Sequence, residues 1–143
     1  MTDYNAPIDD ILFNLEREAQ LHSWTSYPAF VEASEDLVAA SLEEAAKLTG
    51  ELIAPTNRIA DQSEPKLENG VVTVPDEIAN VMQAYVEGGW QTLQWPEEYG
   101  GQGLPQTLAF VFQEMLSSAN MAFSLNSMLS MGAMDAIFAH GSD

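Results

Sequence analysis

The sequence predicts an all-α fold of about five helices. Apolar residues recur at the three- and four-residue spacing of a helix in several separate segments. Proline, glycine and capping residues mark the ends of those segments. Strand patterns are confined to two or three extended residues near Val71 and near Thr92. With 143 residues the chain has the length of one ordinary domain.

The first half of the chain predicts two helices and a connector. A short helix is expected to start near Pro7 as an attached arm, because Pro favours the first helical position. Ser34 is expected to cap a longer helix, which Pro55 breaks or kinks. Residues 61–73 mix Pro, Gly, Asn and charged residues without apolar periodicity, so they predict an exposed loop.

The second half predicts three more helices around a shaped loop. One helix opens at Pro75 and closes at the Gly88-Gly89 pair. Residues 90–104 combine aromatic residues with a proline and three glycines, which is typical of a well-packed turn. A helix follows from Pro105, and a last one runs from about residue 121 to 140. The last helix is apolar nearly all round, which favours burial inside a larger assembly.

The charge balance excludes two classes of partner. Lys and Arg number 4 against 22 Asp and Glu, for a formal net charge of −18. Nucleic acid and anionic membrane surfaces both attract clustered basic side chains, so neither is expected to bind. The 46% hydrophobic content predicts a folded core rather than disorder.

Cysteine content and terminal sequence bear on location. The chain has no cysteine, which excludes disulfides, thiolate metal sites and cysteine nucleophiles and agrees with a reducing compartment. The opening MTDYNAPIDD lacks the basic-then-apolar pattern of a signal peptide. No run approaches the roughly 18 apolar residues that a membrane span requires. A cytoplasmic location is therefore predicted.

The residues that could take part in catalysis or metal binding do not form a recognisable motif. His22 and His140 lie 118 positions apart, and neither belongs to a metal-ligand spacing. The glycines of residues 100–103 lack the Lys and Ser/Thr of a phosphate-binding loop and the spacing of a dinucleotide fingerprint. A turn with positive φ explains them better. We assign no catalytic, metal-binding or cofactor-binding residue.

Methionine is concentrated in the last third of the chain. Five of the seven methionines lie there, among several serines and a glycine. Methionine fills irregular apolar space and small neighbours leave room, so this composition suits the wall of a pocket for a flexible apolar ligand. Ordinary core packing explains the same composition, and the residues alone leave both interpretations open.

One motif resembles a known family. The run from Trp95 to Pro105, WPEEYGGQGLP, closely resembles the P-E-E-Y-G-G-x-G-L segment of acyl-CoA dehydrogenases. It follows a helix that ends in Gly-Gly-Trp at residues 88–90, and it precedes a helix in which Phe112-Gln113-Glu114 resembles the family's E-E pattern. Leu52-Ile53-Ala54-Pro55 resembles an early I-A-P, and Ala139-His140-Gly141-Ser142 resembles the family's closing H-G-S/T.

The resemblance divides the chain into two parts. Residues 34–143 resemble the N-terminal helical domain of the family. Residues 1–33 form the other part, in which Tyr4–Ile11 with Phe13 and Leu15 is similar to an extension carried by a larger branch, which includes the methylmercaptopropionyl-CoA dehydrogenases. Residues 61–73 depart most from the family pattern.

The resemblance implies a function for a longer protein. Acyl-CoA dehydrogenases desaturate an acyl-CoA thioester between its α and β carbons, with FAD held between the subunits of a homo-oligomer. The resemblance places the catalytic carboxylate and the main FAD contacts in middle and C-terminal domains beyond Asp143. It therefore implies an acyl-CoA substrate, those missing domains as partners, and a chain that is inactive alone.

The resemblance also implies a substrate-binding surface. It adds support to the interpretation of the last helix as the wall of a pocket. The residues expected to form one wall of the acyl pocket are Phe123, Ser124, Ser127, Met128 and Met131. The alternative function is a free-standing helical interaction module without catalysis. A stop codon directly after Asp143, as opposed to an open reading frame, would distinguish the two.

Overall fold

The computed structural model describes residues 4–142 and confirms the all-α class. Within that range there are six α-helices, rather than about five, and one small sheet. Residues 1–3 of the predicted extension and Asp143 of the predicted domain lie outside the described residues. The helices are α1 (Ile8–Arg17), α2 (Glu35–Lys47), α3 (Ala54–Gln62), α4 (Asp76–Glu87), α5 (Gln106–Ala119) and α6 (Met121–His140). The strands are β1 (Lys66–Glu68) and β2 (Val71–Thr73).

The additional helix arises because Pro55 does not end the helical path. A π-type turn spans Leu48–Ile53, and α3 then runs from Ala54 through Pro55 to Gln62. Proline has no N–H to donate to the helical ladder, and a wide turn is one way for a helix to depart from its regular bonding. The departure from α geometry therefore lies ahead of Pro55.

The predicted loop at 61–73 is wrong in part. It begins with the last turn of α3, and β1 pairs antiparallel with β2 in a small hairpin. Asn69 and Gly70 join the strands with φ of 51° and 81°. An Asn-Gly pair favours such a two-residue turn, so the dipeptide was a usable sequence signal. The exposure predicted for this segment is confirmed, since both strands are exposed.

The extended residues predicted near Val71 are confirmed, since they form β2, but those predicted near Thr92 are wrong. Trp90–Thr92 forms a single 3₁₀ turn. Gly89 before it has φ of 67°, and the Thr92 hydroxyl donates to the Gly89 carbonyl at 3.1 Å. Gly89 adopts its positive φ just after α4, and the chain continues in a tight turn rather than in a strand.

The predicted helix ends are largely confirmed. The Ser34 hydroxyl accepts a hydrogen bond from the Leu37 N–H at 3.2 Å, as an N-cap does. The helix α1 begins directly after Pro7, and α4 begins directly after Pro75. The α1 segment packs on the domain through buried Leu15. The division of the chain at residue 34 stays a prediction.

Four aromatic rings form a column through the core. Trp90 stacks on Phe112 at 4.9 Å between ring centroids, and Phe112 stacks on Tyr85 at 6.2 Å. Tyr85 meets Phe123 edge to face at 5.5 Å. We call these four residues the aromatic column. It connects the loop after α4, the centre of α5 and the first turn of α6.

Helix α6 is buried at its beginning and exposed along most of its length. Asn120, which caps it, is only 3% exposed. The large apolar residues that α6 leaves exposed are Met121, Leu125, Met128, Leu129, Ile137 and Phe138. An exposed apolar face of this extent is typical of an interaction surface.

We expect Asn120→Ala to lower the free energy of unfolding by about 1–3 kcal/mol. The Asn120 Oδ1 accepts from the Phe123 N–H at 3.0 Å, and its Nδ2 donates to the Thr56 hydroxyl at 3.0 Å. The substitution removes both bonds from a buried position. Equilibrium urea unfolding measures the change.

Two further variants separate the contributions. Asn120→Asp keeps the cap acceptor but loses the donor to Thr56, so an intermediate loss is expected. Asn126→Ala is the control, since Asn126 is exposed on the same helix. Stability of Asn120→Ala within about 0.5 kcal/mol of the wild type would contradict the role of this residue.

Candidate functional site

The five predicted wall residues lie between residues 123 and 131 of α6, but they do not share one environment. Ser124 is 1% exposed and Ser127 is 5% exposed, and Phe123 is also buried. Met128 is 46% exposed, whereas Met131 is half-buried. Helical spacing brings these residues to neighbouring positions. Contacts with other helices then divide them into a buried group and an accessible group.

The buried serines satisfy their hydroxyls within the domain. Ser124 donates to the Met121 carbonyl at 2.8 Å and accepts from the Ser117 hydroxyl at 3.1 Å. Ser127 donates to the Ser124 carbonyl at 3.2 Å. Burial raises the pKa of Tyr85, and hydrogen bonding with Ser127 partly opposes that increase. These hydroxyls therefore serve packing within the domain.

The accessible part of the site includes a residue that sequence reasoning missed. Leu125 is exposed and lies one helical turn before Met128. Its position at i−3 from Met128 was the available signal, but only the methionines and small residues drew attention. Leu125, Met128 and Met131 together give α6 an apolar strip that can contact a ligand.

The motif at residues 95–105 forms a loop closed by its own backbone. The Gly101 N–H donates to the Pro96 carbonyl at 3.0 Å, and the Gly103 N–H donates to the Trp95 carbonyl at 2.8 Å. Gly100 and Gly103 have φ of 80° and 63°, which confirms the predicted turn with positive φ. These amides are occupied, so the loop does not offer a phosphate cradle.

A cleft of about 380 Å³ lies between this loop and the end of α6. Its lining residues are Thr92, Trp95, Tyr99, Met134, Ile137, Phe138, Gly141 and Ser142. The Phe138 ring meets Trp95 at 5.6 Å and Tyr99 at 5.9 Å, both edge to face. The buried Trp95 Nε1 has no hydrogen-bond partner among the described residues. The predicted wall residues do not line this cleft, which is uncharged and largely apolar.

Ionisable groups are spread over the surface rather than gathered at α6. Within residues 4–142 there is no group of three or more His, Asp or Glu side chains placed to hold a metal ion. His22 pairs with Glu16 at 2.7 Å, far along the chain from α6. In the same range, no helix combines the length and the apolar character needed to cross a bilayer. The strip formed by Leu125, Met128 and Met131 is itself apolar.

Comparison with known proteins identifies the class to which this helical domain belongs. The sequence model of the family described as acyl-CoA dehydrogenase, N-terminal domain, matches residues 34–143. The chain therefore belongs to the acyl-CoA dehydrogenase family, and the resemblance carried by the loop motif is confirmed.

A particular relative extends the match to nearly the whole chain. Over 140 residues the chain is 38% identical to a 3-methylmercaptopropionyl-CoA dehydrogenase of Ruegeria pomeroyi. The match covers 98% of this chain and 24% of that protein. The chain thus spans about a quarter of the length of this relative.

We expect Gly101→Ala to destabilise the domain by about 1–3 kcal/mol, the range typical of overpacking. A Cβ at Gly101 would overlap the carbonyl carbon and oxygen of Trp95, which are backbone atoms that cannot rotate away. Thermal unfolding followed by circular dichroism measures the effect.

Gly132→Ala provides the matched control for this substitution. A Cβ at Gly132 in α6 would meet no atom within 4 Å. Alanine is favoured over glycine inside a helix by about 0.5–1 kcal/mol, so a small gain in stability is expected there. If Gly101→Ala were as stable as the wild type, the loop could change its shape without loss of stability, and the expectation would be wrong.

Proposed function

We propose that this chain is the N-terminal domain of a longer flavin-dependent acyl-CoA dehydrogenase and forms one wall of its acyl pocket. The observation that carries the proposal is the exposed apolar strip of α6 in a domain that belongs to this family. The relative from Ruegeria pomeroyi is named for an acyl-CoA thioester, which supports the same substrate class here. In this proposal the longer protein removes hydrogen from the α and β carbons of that thioester.

The wall proposed on α6 has two layers. Met128 and Met131, with Leu125 beside them, face the substrate and exclude water from its acyl chain. Methionine suits this task because its flexible thioether adapts to chains of different shape. Phe123, Ser124 and Ser127 form the layer behind, where they hold α6 against the rest of the domain.

The residues of this chain do not fit the FAD that the family implies. The basic side chains are Arg17, Lys47, Arg58 and Lys66, so none follows residue 66. The backbone N–H groups of the glycine loop are already bonded to carbonyl groups of the same loop. These observations support a flavin held by regions beyond this chain, together with the base that removes the α-proton.

The same proposal includes a partner surface for the exposed face of α6. The middle and C-terminal domains of the longer protein would bury it and close the pocket. A homo-oligomeric assembly and a cytoplasmic location stay predictions. An interaction module without catalysis would use the same apolar face, so the test must separate the two functions.

We expect the longer gene product to be a yellow protein that reduces an artificial electron acceptor in the presence of acyl-CoA. The 143-residue chain is expected to be colourless and inactive in the same assay. Absorption spectra recorded after gel filtration measure bound flavin. The loss of colour of the electron acceptor measures dehydrogenase activity. A stop codon directly after Asp143, or a longer protein inactive towards every acyl-CoA, would favour the interaction module. FAD retained by the 143-residue chain would place the flavin site within it.

In the longer protein, we expect Met128→Phe to reduce kcat/KM for long acyl-CoAs by roughly tenfold while sparing short ones. The larger side chain occupies space that only a long acyl chain would reach. Steady-state kinetics over a series of chain lengths measures the effect. Val86→Phe on α4 is the matched control, since Val86 is 47% exposed and Met128 is 46% exposed. A uniform loss over all chain lengths would contradict the placement of Met128 in the wall.

A further inference from the structure

The aromatic column reaches the inner layer of the proposed wall through Tyr85. The Tyr85 ring meets Phe123 edge to face at 5.5 Å. Hydrogen bonding with Ser127 partly opposes the increase that burial causes in the pKa of Tyr85. Phe123 and Ser127 lie one turn apart on α6. Tyr85 therefore supports the first turn of α6 from behind through its contact with Phe123.

Tyr85 has little freedom to move away from α6. It is 1% exposed and is among the largest fully buried side chains of the described residues. Phe112 stacks against it at 6.2 Å, and Trp90 stacks on Phe112 at 4.9 Å. Protein interiors are packed as closely as organic crystals, so a column of rings resists compression. The distance between α4 and the start of α6 is thereby fixed.

We propose that Tyr85 is a positioning residue that sets the depth of the acyl pocket. By holding Phe123, it fixes how far α6 stands from α4 and hence where Met128 and Met131 meet the substrate. This inference rests on the proposed function. It adds a residue outside α6 that controls which acyl chain lengths the wall accepts.

The direction of the effect follows from the packing. Replacing the Tyr85 ring with a smaller side chain leaves space behind Phe123 and Ser127, and a helix beside a cavity relaxes partly into it. Inward movement of α6 withdraws Met128 and Met131 from the substrate. The pocket then becomes deeper, which favours long acyl chains over short ones.

The test measures kcat/KM of the longer protein for straight-chain acyl-CoAs of increasing length. Tyr85→Leu should raise the ratio of long-chain to short-chain kcat/KM by about fivefold, which corresponds to a modest gain in apolar contact. Tyr85→Phe keeps the ring and its stacking, so it should retain the wild-type profile. This difference separates a role of the ring in positioning from a role of the hydroxyl.

Two controls keep the inference falsifiable. Leu42→Ala removes a buried side chain from α2 and should lower stability without changing the chain-length profile. If Tyr85→Leu does not fold, Phe123→Leu removes the same contact from the α6 side and should shift the profile in the same direction.

Each remaining outcome has a separate meaning. If Tyr85→Leu or its substitute lowers kcat/KM by the same factor for every chain length, the role of Tyr85 is structural and the inference is wrong, while the proposed function stands. If the wild-type longer protein desaturates no acyl-CoA of any length, the proposed function fails, and the inference fails with it.

Discussion

The hydrogen bonds of Asn120 hold together the part of the domain on which the site depends. This residue separates α5 from α6, caps α6 through its Oδ1 and reaches Thr56 on α3 through its Nδ2. Thr56 in turn donates to the Ile53 carbonyl at 2.6 Å, at the end of the wide turn before α3. One amide therefore fixes the start of α6 relative to α3 and α5. The position of every residue along α6 follows from that start.

The aromatic column complements this polar anchor with an apolar one. Asn120 determines where α6 begins, and the contact of Tyr85 with Phe123 determines how closely its first turns approach α4. The two constraints differ in physical nature, since hydrogen bonds specify direction whereas ring packing specifies distance. Together they leave the Met128 side of α6 facing outward, which is the arrangement that a pocket wall requires.

The distribution of charge explains why α6 differs from the rest of the surface. The chain carries a net charge of −18, yet between residues 121 and 140 only Asp135 is acidic. Like charges repel across a solvated surface, so a strongly acidic chain offers few places for close apolar contact. Helix α6 is such a place. Its exposed leucine, methionine and phenylalanine side chains are consistent with a partner domain that buries them.

Sequence reasoning was enough to predict the all-α class, the capping of α2 by Ser34, the limits of α4 and α6, and the family through the motif at residues 95–105. These features depend on short-range rules, namely helical periodicity, capping and turn chemistry, which neighbouring residues fully express. The three-dimensional fold was needed to show that Ser124 and Ser127 are buried while Met128 remains accessible. That difference depends on which side of α6 meets Tyr85 of α4, a residue distant in sequence, and Ser117 of the preceding helix. The fold was also needed to show that the helical path continues past Pro55. Leu48, Thr49 and Ile53 of the wide turn before Pro55 are buried, so packing supports this turn as well as local preference.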